Sequence, residues 1–179
     1  AACGGDMMVR TAAFQQVGGF NPQVIAAEDD EFCTRLRKAG WRLRRLPEAM
    51  THHDAHMMRF SQWWSRAVRT GHGFEQVNDL HPEYFQRERK RMWVYGAVLP
   101  VLALIGALFF WPLLALVLLL FTVSYLRTVL GLIRSGLPRL RAIHHGFYLF
   151  LSKFPNIVGA ATYHKRKRKG ADMVIIEYK

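Results

Sequence analysis

MWVYGAVLPVLALIGALFFWPLLALVLLLFTVSYL, residues 92–126, is a stretch of 35 residues without a charged side chain. As one helix it would be roughly 50 Å long, which is too long for a hydrocarbon core of about 30 Å. A break near Trp111 and Pro112 would divide it into two passes of about 17 residues each. The stretch therefore predicts two helices, residues 93–110 and 112–126, packed as an antiparallel transmembrane hairpin. The alternative is a hairpin buried in the core of a soluble protein.

Basic residues flank the apolar stretch on both sides, in a chain whose formal net charge is +12. They are Arg87, Arg89, Lys90 and Arg91 before it, and Arg127, Arg134, Arg139 and Arg141 after it. Positive charge beside membrane helices accumulates on the cytoplasmic side. The pattern therefore predicts a multi-pass protein of the inner (cytoplasmic) membrane, with both hairpin ends in the cytoplasm. It favours a membrane over a nucleic acid as the partner, and we expect no nucleic-acid partner.

The segments next to the hairpin, residues 59–91 and 127–179, are predicted to form amphipathic, interfacial helices. An apolar stripe at helical spacing runs through Phe60, Trp63, Trp64 and Ala67, which suits a helix at a membrane surface. Residues 127–179 are expected to end in a basic cytoplasmic tail. The run Lys165–Lys169 in this tail would either contact anionic headgroups or remain solvated.

Residues 1–58 have the character of a globular domain. Their pattern predicts a short helix over residues 9–17 and a second helix over residues 28–39, each followed by glycine. Residues 41–46 alternate weakly and are a candidate strand. The chain begins without Met and has only one or two candidate strands. We therefore expect an α/β fragment that begins inside a domain, followed by an α-helical membrane region.

Two polar clusters in this region could carry chemistry. Residues 28–31, Glu-Asp-Asp-Glu, open the second predicted helix. They either complement the helix dipole or contain a carboxylate whose pKa is raised by its neighbours, which would make it a base. The second cluster consists of His52, His53, Asp54 and His56. These side chains are either metal ligands or hydrogen-bonded surface residues, and their spacing matches no known zinc motif.

Six short motifs, taken in order, resemble the C-terminal third of the catalytic domain of family 2 glycosyltransferases, which have the GT-A fold. They are Gly4-Gly5-Asp6 with Arg10 after it, Val17-Gly18-Gly19-Phe20-Asn21, Glu28-Asp29-Asp30-Glu31-Phe32-Cys33-Thr34-Arg35-Leu36, Ala39-Gly40-Trp41, Pro47-Glu48-Ala49, and His53. Each motif is weak alone, but six in this order at close spacing are specific. Weaker similarity continues through residues 50–71 and at the C-terminus.

The resemblance implies roles for three residues in the chemistry. Asp29 matches the catalytic base of the family, which deprotonates the acceptor hydroxyl, and Glu28 would orient it. His53 matches the histidine that ends the domain and helps to hold a divalent metal on the donor diphosphate.

The resemblance also implies an acceptor side. Six residues would contribute to it: Gly4, Gly5, Asp6, Gln62, Trp63 and Arg66. The last three resemble the Q-x-x-R-W signature of processive members. Arg66 comes four positions after Gln62 and no Trp follows it, so single transfer agrees with the sequence as well as polymerisation does.

The implied reaction is an inverting transfer of a sugar from a nucleotide-sugar donor to a lipid or glycan acceptor. Mg²⁺ or Mn²⁺ would be bound mainly by the N-terminal half of the domain, since residues 1–58 contain no D-x-D motif and no glycine-rich phosphate loop. The donor site is thus expected outside this chain, and the chain alone to be inactive. The alternative is a non-enzymatic membrane protein that binds anionic lipid or a partner subunit, which explains the hairpin but not the ordered motifs.

Overall fold

The computed structural model describes residues 6–46 and 57–174, and within these ranges the regular structure is helical. A π-helical turn, Val94–Val98, joins the helix that ends at Trp93 to the helix that begins at Leu99. The helices are α1 (Thr11–Gln16), α2 (Glu28–Lys38), α3 (Phe60–Leu80), α4 (Gln86–Trp93), α5 (Leu99–Phe109), α6 (Trp111–Arg134), α7 (Arg139–Leu151) and α8 (Lys153–Lys169).

The predicted α/β fragment is wrong, because residues 6–46 form two helices joined by loops and the described ranges contain no β-strand. The candidate strand at residues 41–46 is irregular. At its start, the Trp41 amide donates to the Leu36 carbonyl oxygen at 3.0 Å, and the indole Nε1 donates to Gln16 Oε1 at 2.8 Å. A strand is stable only where a neighbouring strand takes up its backbone hydrogen bonds, and the described part of the chain supplies none.

The two helices predicted for this region are confirmed, with small differences at their ends. α2 spans Glu28–Lys38, and α1 begins at Thr11 rather than at Val9. They pack through a small core of Ala13, Phe32 and Leu36, all buried. This core holds α2 in place without a sheet.

The charge-free stretch forms the predicted antiparallel pair of helices. One continuous helix runs over Gln86–Phe109 and the next over Trp111–Arg134, so the break lies at Phe110. Phe110 leaves the helical conformation with φ −155° and ψ 84°, and Pro112 suits the first turn of the second helix because it needs no amide donor there. Both helices are long and apolar enough to cross a membrane. In the most apolar 18-residue segment of each helix, only 17% and 11%, respectively, is buried inside the structure.

The π-helical turn has a local cause. Pro100 has no amide hydrogen to donate to the carbonyl oxygen four positions earlier, and its ring crowds that carbonyl. The helix widens over Val94–Val98, directly before the proline, and then returns to α-helical geometry. The helix Gln86–Phe109 therefore stays continuous despite the proline. This helix is called the first arm of the hairpin, and α6 the second arm.

α3 is the element that connects the parts of the molecule. It packs along α8 at backbone contact, since a Cβ atom on Gly159 would overlap the Val68 carbonyl oxygen and one on Gly71 would overlap the Asn156 backbone. On its other side α3 contacts the loop that precedes α2, where Gly73 allows close approach to Ala26. The loop before α2 is therefore fixed on α3, which also packs against α8.

Candidate active site

The four carboxylates that open α2 do not share one environment. Glu31 is buried, and its two carboxylate oxygens accept from Arg35 Nε at 2.7 Å and Nη2 at 2.8 Å. His81 Nε2 lies 3.1 Å from Glu31 Oε1. Burial raises the pKa of Glu31, but the hydrogen bonds from Arg35 and His81 outweigh it and hold the pKa below its usual value. Glu31 is therefore a structural ion-pair partner.

Asp30 also has structural partners. Its side chain accepts a hydrogen bond from the Tyr84 hydroxyl at 3.1 Å, and its carbonyl oxygen accepts one from Thr34 Oγ1 at 2.7 Å. The remaining two carboxylates, Glu28 and Asp29, are half-buried and form no hydrogen bond or ion pair within the described ranges. Among the described residues, the two carboxylates to which the family resemblance gives a chemical role thus have no protein partner.

Glu28 and Asp29 lie in a shallow groove of about 220 Å³ between the start of α2 and the exposed face of α3, here called the α2–α3 groove. Its lining combines acidic residues from α2 with basic and hydroxyl residues from α3: Ala26, Ala27, Glu28, Asp29, Asp30, Arg66, Arg69 and Thr70. A polar hydroxyl compound placed here would meet a carboxylate on one wall and guanidinium groups on the other. This arrangement suits proton abstraction from a hydroxyl and the binding of a negatively charged neighbour.

The loop before α2 is held by side chains of α3. Arg69 Nε donates to the Ile25 carbonyl oxygen at 2.7 Å. The Gln76 side chain donates from Nε2 to the Gln23 carbonyl oxygen at 2.7 Å and accepts from the Ile25 amide at 3.4 Å. Ala27, at the end of this loop, has φ 58° and ψ 30°, a left-handed conformation that costs a non-glycine residue about 1–2 kcal/mol. These bonds fix the residues that place Glu28 and Asp29.

The structure brings together only part of the predicted acceptor side. Arg66 lies in the α2–α3 groove opposite Asp29. Gln62 instead accepts from the amides of Met58 and Arg59, each at 2.9 Å, at the start of α3. Trp63 packs its ring 5.2 Å from that of Tyr148 on α7.

Three of the remaining predicted site residues, Gly4, Gly5 and His53, lie outside the described residues. Asp6 is half-buried at the start of the described chain and is not among the residues that line the groove. Within the described ranges no group of three or more His, Cys, Asp or Glu side chains is placed to hold a metal ion. The predicted metal role of His53 therefore stays a prediction.

No local sequence pattern predicts the roles of Arg69 and Gln76. They are two helical turns apart, which places them on one face of α3, and this spacing is the only signal. Their hydrogen-bond partners lie 44 and 51 positions earlier in the chain, so the contact depends on the tertiary fold.

Comparison with known proteins finds relatives for part of the chain. Two curated relatives, pre-mycofactocin glycosyltransferases from two strains of Mycobacterium tuberculosis, are 34% identical to the chain over 77 residues. This alignment covers 43% of the chain and 16% of each relative, so the chain spans a small part of their length. No solved structure gives a significant match. A model of the family described as glycosyl transferase family group 2 matches residues 2–155, from before α1 into α8, and the chain belongs to this family.

Proposed function

We propose that this chain carries the acceptor side of a membrane-bound, inverting glycosyltransferase, with Asp29 as the general base. The single observation that carries the proposal is the placement of Glu28 and Asp29 in the α2–α3 groove, without structural partners of their own. Their neighbours Asp30 and Glu31 are engaged with Tyr84, Arg35 and His81.

The proposed step uses the carboxylate as a proton acceptor. An acceptor hydroxyl donates its proton to Asp29 while its oxygen forms a bond to the anomeric carbon of the donor sugar. The bond from that carbon to the nucleoside diphosphate breaks, and the leaving group departs with the electron pair. Attack from the face opposite the leaving group inverts the anomeric configuration. Glu28, one position earlier in the same turn of α2, would orient the hydroxyl or the base.

Arg66 supports this reading because its charge complements both the base and the substrate. It lies across the groove from the carboxylates, together with Arg69, whose position is fixed by the Ile25 carbonyl oxygen. A guanidinium at this place would attract an anionic part of the donor or acceptor. A lipid or glycan hydroxyl is the acceptor class that the groove and the family together favour.

The donor would be a nucleotide sugar. Its diphosphate would be bound with Mg²⁺ or Mn²⁺, to which His53 would contribute. The described residues hold no three-ligand cluster for such an ion, so the step proposed here relies only on the carboxylates and arginines of this chain. We further propose that the two apolar helices attach the chain to the membrane and that the α2–α3 groove lies on the cytoplasmic side.

A sugar-transfer assay on the intact enzyme tests the assignment of the base. Asp29→Asn keeps the shape of the side chain but removes the base, and we expect turnover to fall roughly 10²–10⁴-fold. Glu88→Gln is the matched control, because Glu88 also lies in the first turn of a helix, α4, but outside the groove. It should leave turnover near normal. Normal turnover of a folded Asp29→Asn protein would show that Asp29 only complements the helix dipole, which contributes about 1 kcal/mol of stability.

A further inference from the structure

The basic run at the end of α8 is divided between two faces of the helix. Lys167 Nζ donates to both carboxylate oxygens of Asp79 at 2.6 Å, and this hydrogen bond holds the pKa of Asp79 below its usual value. Arg166 Nη1 donates to the Val174 carbonyl oxygen at 2.7 Å. These two cations therefore serve the packing of α8 against α3 and the chain end.

The other three cations face a different way and line a second groove, of about 380 Å³, here called the α8 groove. Its lining consists of Trp93, Ala161, His164, Lys165, Arg168 and Lys169. The five residues from α8 recur at helical spacing and so form one stripe. In the part of the chain that the structure describes, Lys165, Arg168 and Lys169 form no ion pair, and all three are exposed. Their charge is available to an external anion.

Trp93 gives the α8 groove a fixed apolar wall. Its indole Nε1 donates to Glu75 Oε1 at 2.6 Å, and Glu75 is buried. Glu75 Oε2 also accepts from Arg89 Nε at 2.8 Å and lies 3.1 Å from His164 Nε2. The negative charge of Glu75 is thus neutralised within the protein and does not repel an anion in the groove. Trp93 and the three cations therefore line one defined groove, and the cations are not simply scattered over the surface.

The α8 groove lies where the apolar hairpin begins. Trp93 is at the start of the charge-free stretch, and the Tyr95 and Phe121 rings, 6.2 Å apart, place the start of the first arm beside the middle of α6. Beyond Trp93, exposed apolar side chains continue along the first arm toward the tip; they include Val98, Val101, Leu104 and Leu108. Tryptophan is enriched at the membrane interface, where an anionic headgroup meets the acyl region.

We propose that the α8 groove binds the headgroup phosphate of an anionic phospholipid, with Lys165, Arg168 and Lys169 on the phosphate and the glycerol region against Trp93. The acyl chains would lie along the exposed apolar face of the first arm. A lipid is the source that fits both halves of the site, since free phosphate would use the cations but not the indole or the apolar stripe. The site is separate from the α2–α3 groove, and the proposal does not depend on the sugar-transfer reaction.

The test measures lipid bound to the purified full chain in a non-ionic detergent. Native mass spectrometry compares phosphatidylglycerol with phosphatidylcholine, each offered at the same concentration. K165Q/R168Q/K169Q removes the three groove cations, and R42Q/R44Q/R45Q removes three exposed cations from the segment after α2. We expect the native chain to prefer phosphatidylglycerol and the groove variant to lose roughly a hundredfold of that binding, since each of its three cations contributes roughly fivefold near an anionic lipid surface. The control variant should change by less than about twofold.

Two further measurements complete the test. Trp93→Leu should weaken phosphatidylglycerol binding with all cations present, and inorganic phosphate at millimolar concentration should not displace the lipid. Equal losses from the two triple variants would overturn the proposal in favour of diffuse electrostatic attraction. Equal binding of both lipids by the native chain, or full displacement by inorganic phosphate, would also overturn it.

Discussion

Gln76 Nε2 on α3 donates to the carbonyl oxygen of Gln23 at 2.7 Å and so connects the C-terminal part of a long helix to the loop that leads into the carboxylates of α2. The same side-chain amide accepts from the Ile25 amide, and Gln76 is buried. A buried side-chain amide that accepts from one backbone N–H and donates to one backbone carbonyl oxygen provides the two kinds of hydrogen bond that a neighbouring strand would otherwise provide. The loop is thereby ordered without a sheet.

Gln76→Leu should loosen this loop. The substitution keeps the approximate volume but leaves a buried N–H and a carbonyl oxygen without partners, which costs about 1–3 kcal/mol. We expect hydrogen exchange at the Ile25 amide to become at least about tenfold faster in the full chain. Gln86→Leu is the control, because Gln86 is exposed and donates only to the Pro82 carbonyl oxygen. Unchanged exchange at Ile25 in the Gln76 variant would contradict the positioning role.

His72 predicts a specific dependence of stability on pH. Its side chain is fully buried at the α3–α8 contact, 5.2 Å from the Tyr163 ring, and neither ring nitrogen has a hydrogen-bond partner in the described structure. Burial and the positive charge of Arg166 lower its pKa from 6.5 to about 4. Between these two pH values the unfolded chain binds a proton that the folded protein does not. Stability therefore falls as the pH falls from 6.5 toward 4, and His72 has no such effect above 6.5.

His72→Leu should remove this acid sensitivity. The variant should be at least as stable as the native protein at pH 7, because it buries no unsatisfied ring nitrogen. On acidification to pH 4 it should lose about 3 kcal/mol less stability than the native protein does. Thermal unfolding of both proteins at several pH values measures this difference, in which other acid-sensitive groups such as Glu31 and Asp79 cancel. Parallel loss of stability in both proteins would contradict the prediction.

The close approach of α3 and α8 predicts that the two helices tolerate no added carbon between them. Gly159→Ala would place a Cβ atom against the backbone of Val68 and His72, and we expect a loss of about 2–3 kcal/mol. Gly131→Ala in α6 is the matched control, since no atom lies within 4 Å of the Cβ position there. It should be neutral or stabilise by up to about 1 kcal/mol through helix propensity. Denaturation midpoints of the two variants decide between tight and loose packing at this crossing.

The geometry of the hairpin predicts its topology in a membrane. A turn of one residue, Phe110, joins the two arms, so their charged ends must lie on the same side. In a C3S/C33A background, cysteines introduced by Arg91→Cys and Arg127→Cys should both react with an impermeant maleimide added from one side of oriented vesicles. A cysteine from Trp111→Cys, at the exposed tip, should not react from that side. Labelling of positions 91 and 127 from opposite sides would contradict the hairpin.

The helical parts of the fold were predictable because their causes are local. The acidic start and glycine stop of α2 bracket one amphipathic helix, and the break near Pro112 follows from the length of the apolar stretch. The prediction of a strand at residues 41–46 was wrong because a strand depends on a partner elsewhere in the chain. Weak alternation describes the chain itself but not its neighbour, and Trp41 finds its partners in α1 and α2 instead of in another strand.

The residue types of the candidate site were predictable from the sequence. Which of its carboxylates bind other parts of the protein was not. The sequence places four carboxylates in a row, and their different environments depend largely on distant partners: His81 lies 50 positions after Glu31, and Tyr84 lies 54 positions after Asp30. Gln62 shows the reverse case. Its resemblance to a family signature suggested an acceptor contact, whereas the structure uses its amide oxygen to begin α3.

The packing of α3 against both the loop before α2 and helix α8 has a practical consequence for anyone who wants a shorter version of this chain without its apolar helices. Removing the apolar helices by ending the protein ahead of residue 60 would also delete Arg66, Arg69 and Gln76, and with them one wall of the groove and the ties to Ile25. Retaining α3 alone would expose the surface that α8 covers at Gly159 and Tyr163. Expression strategies for this chain should therefore keep the hairpin and solubilise it with detergent or nanodiscs instead of trimming it away.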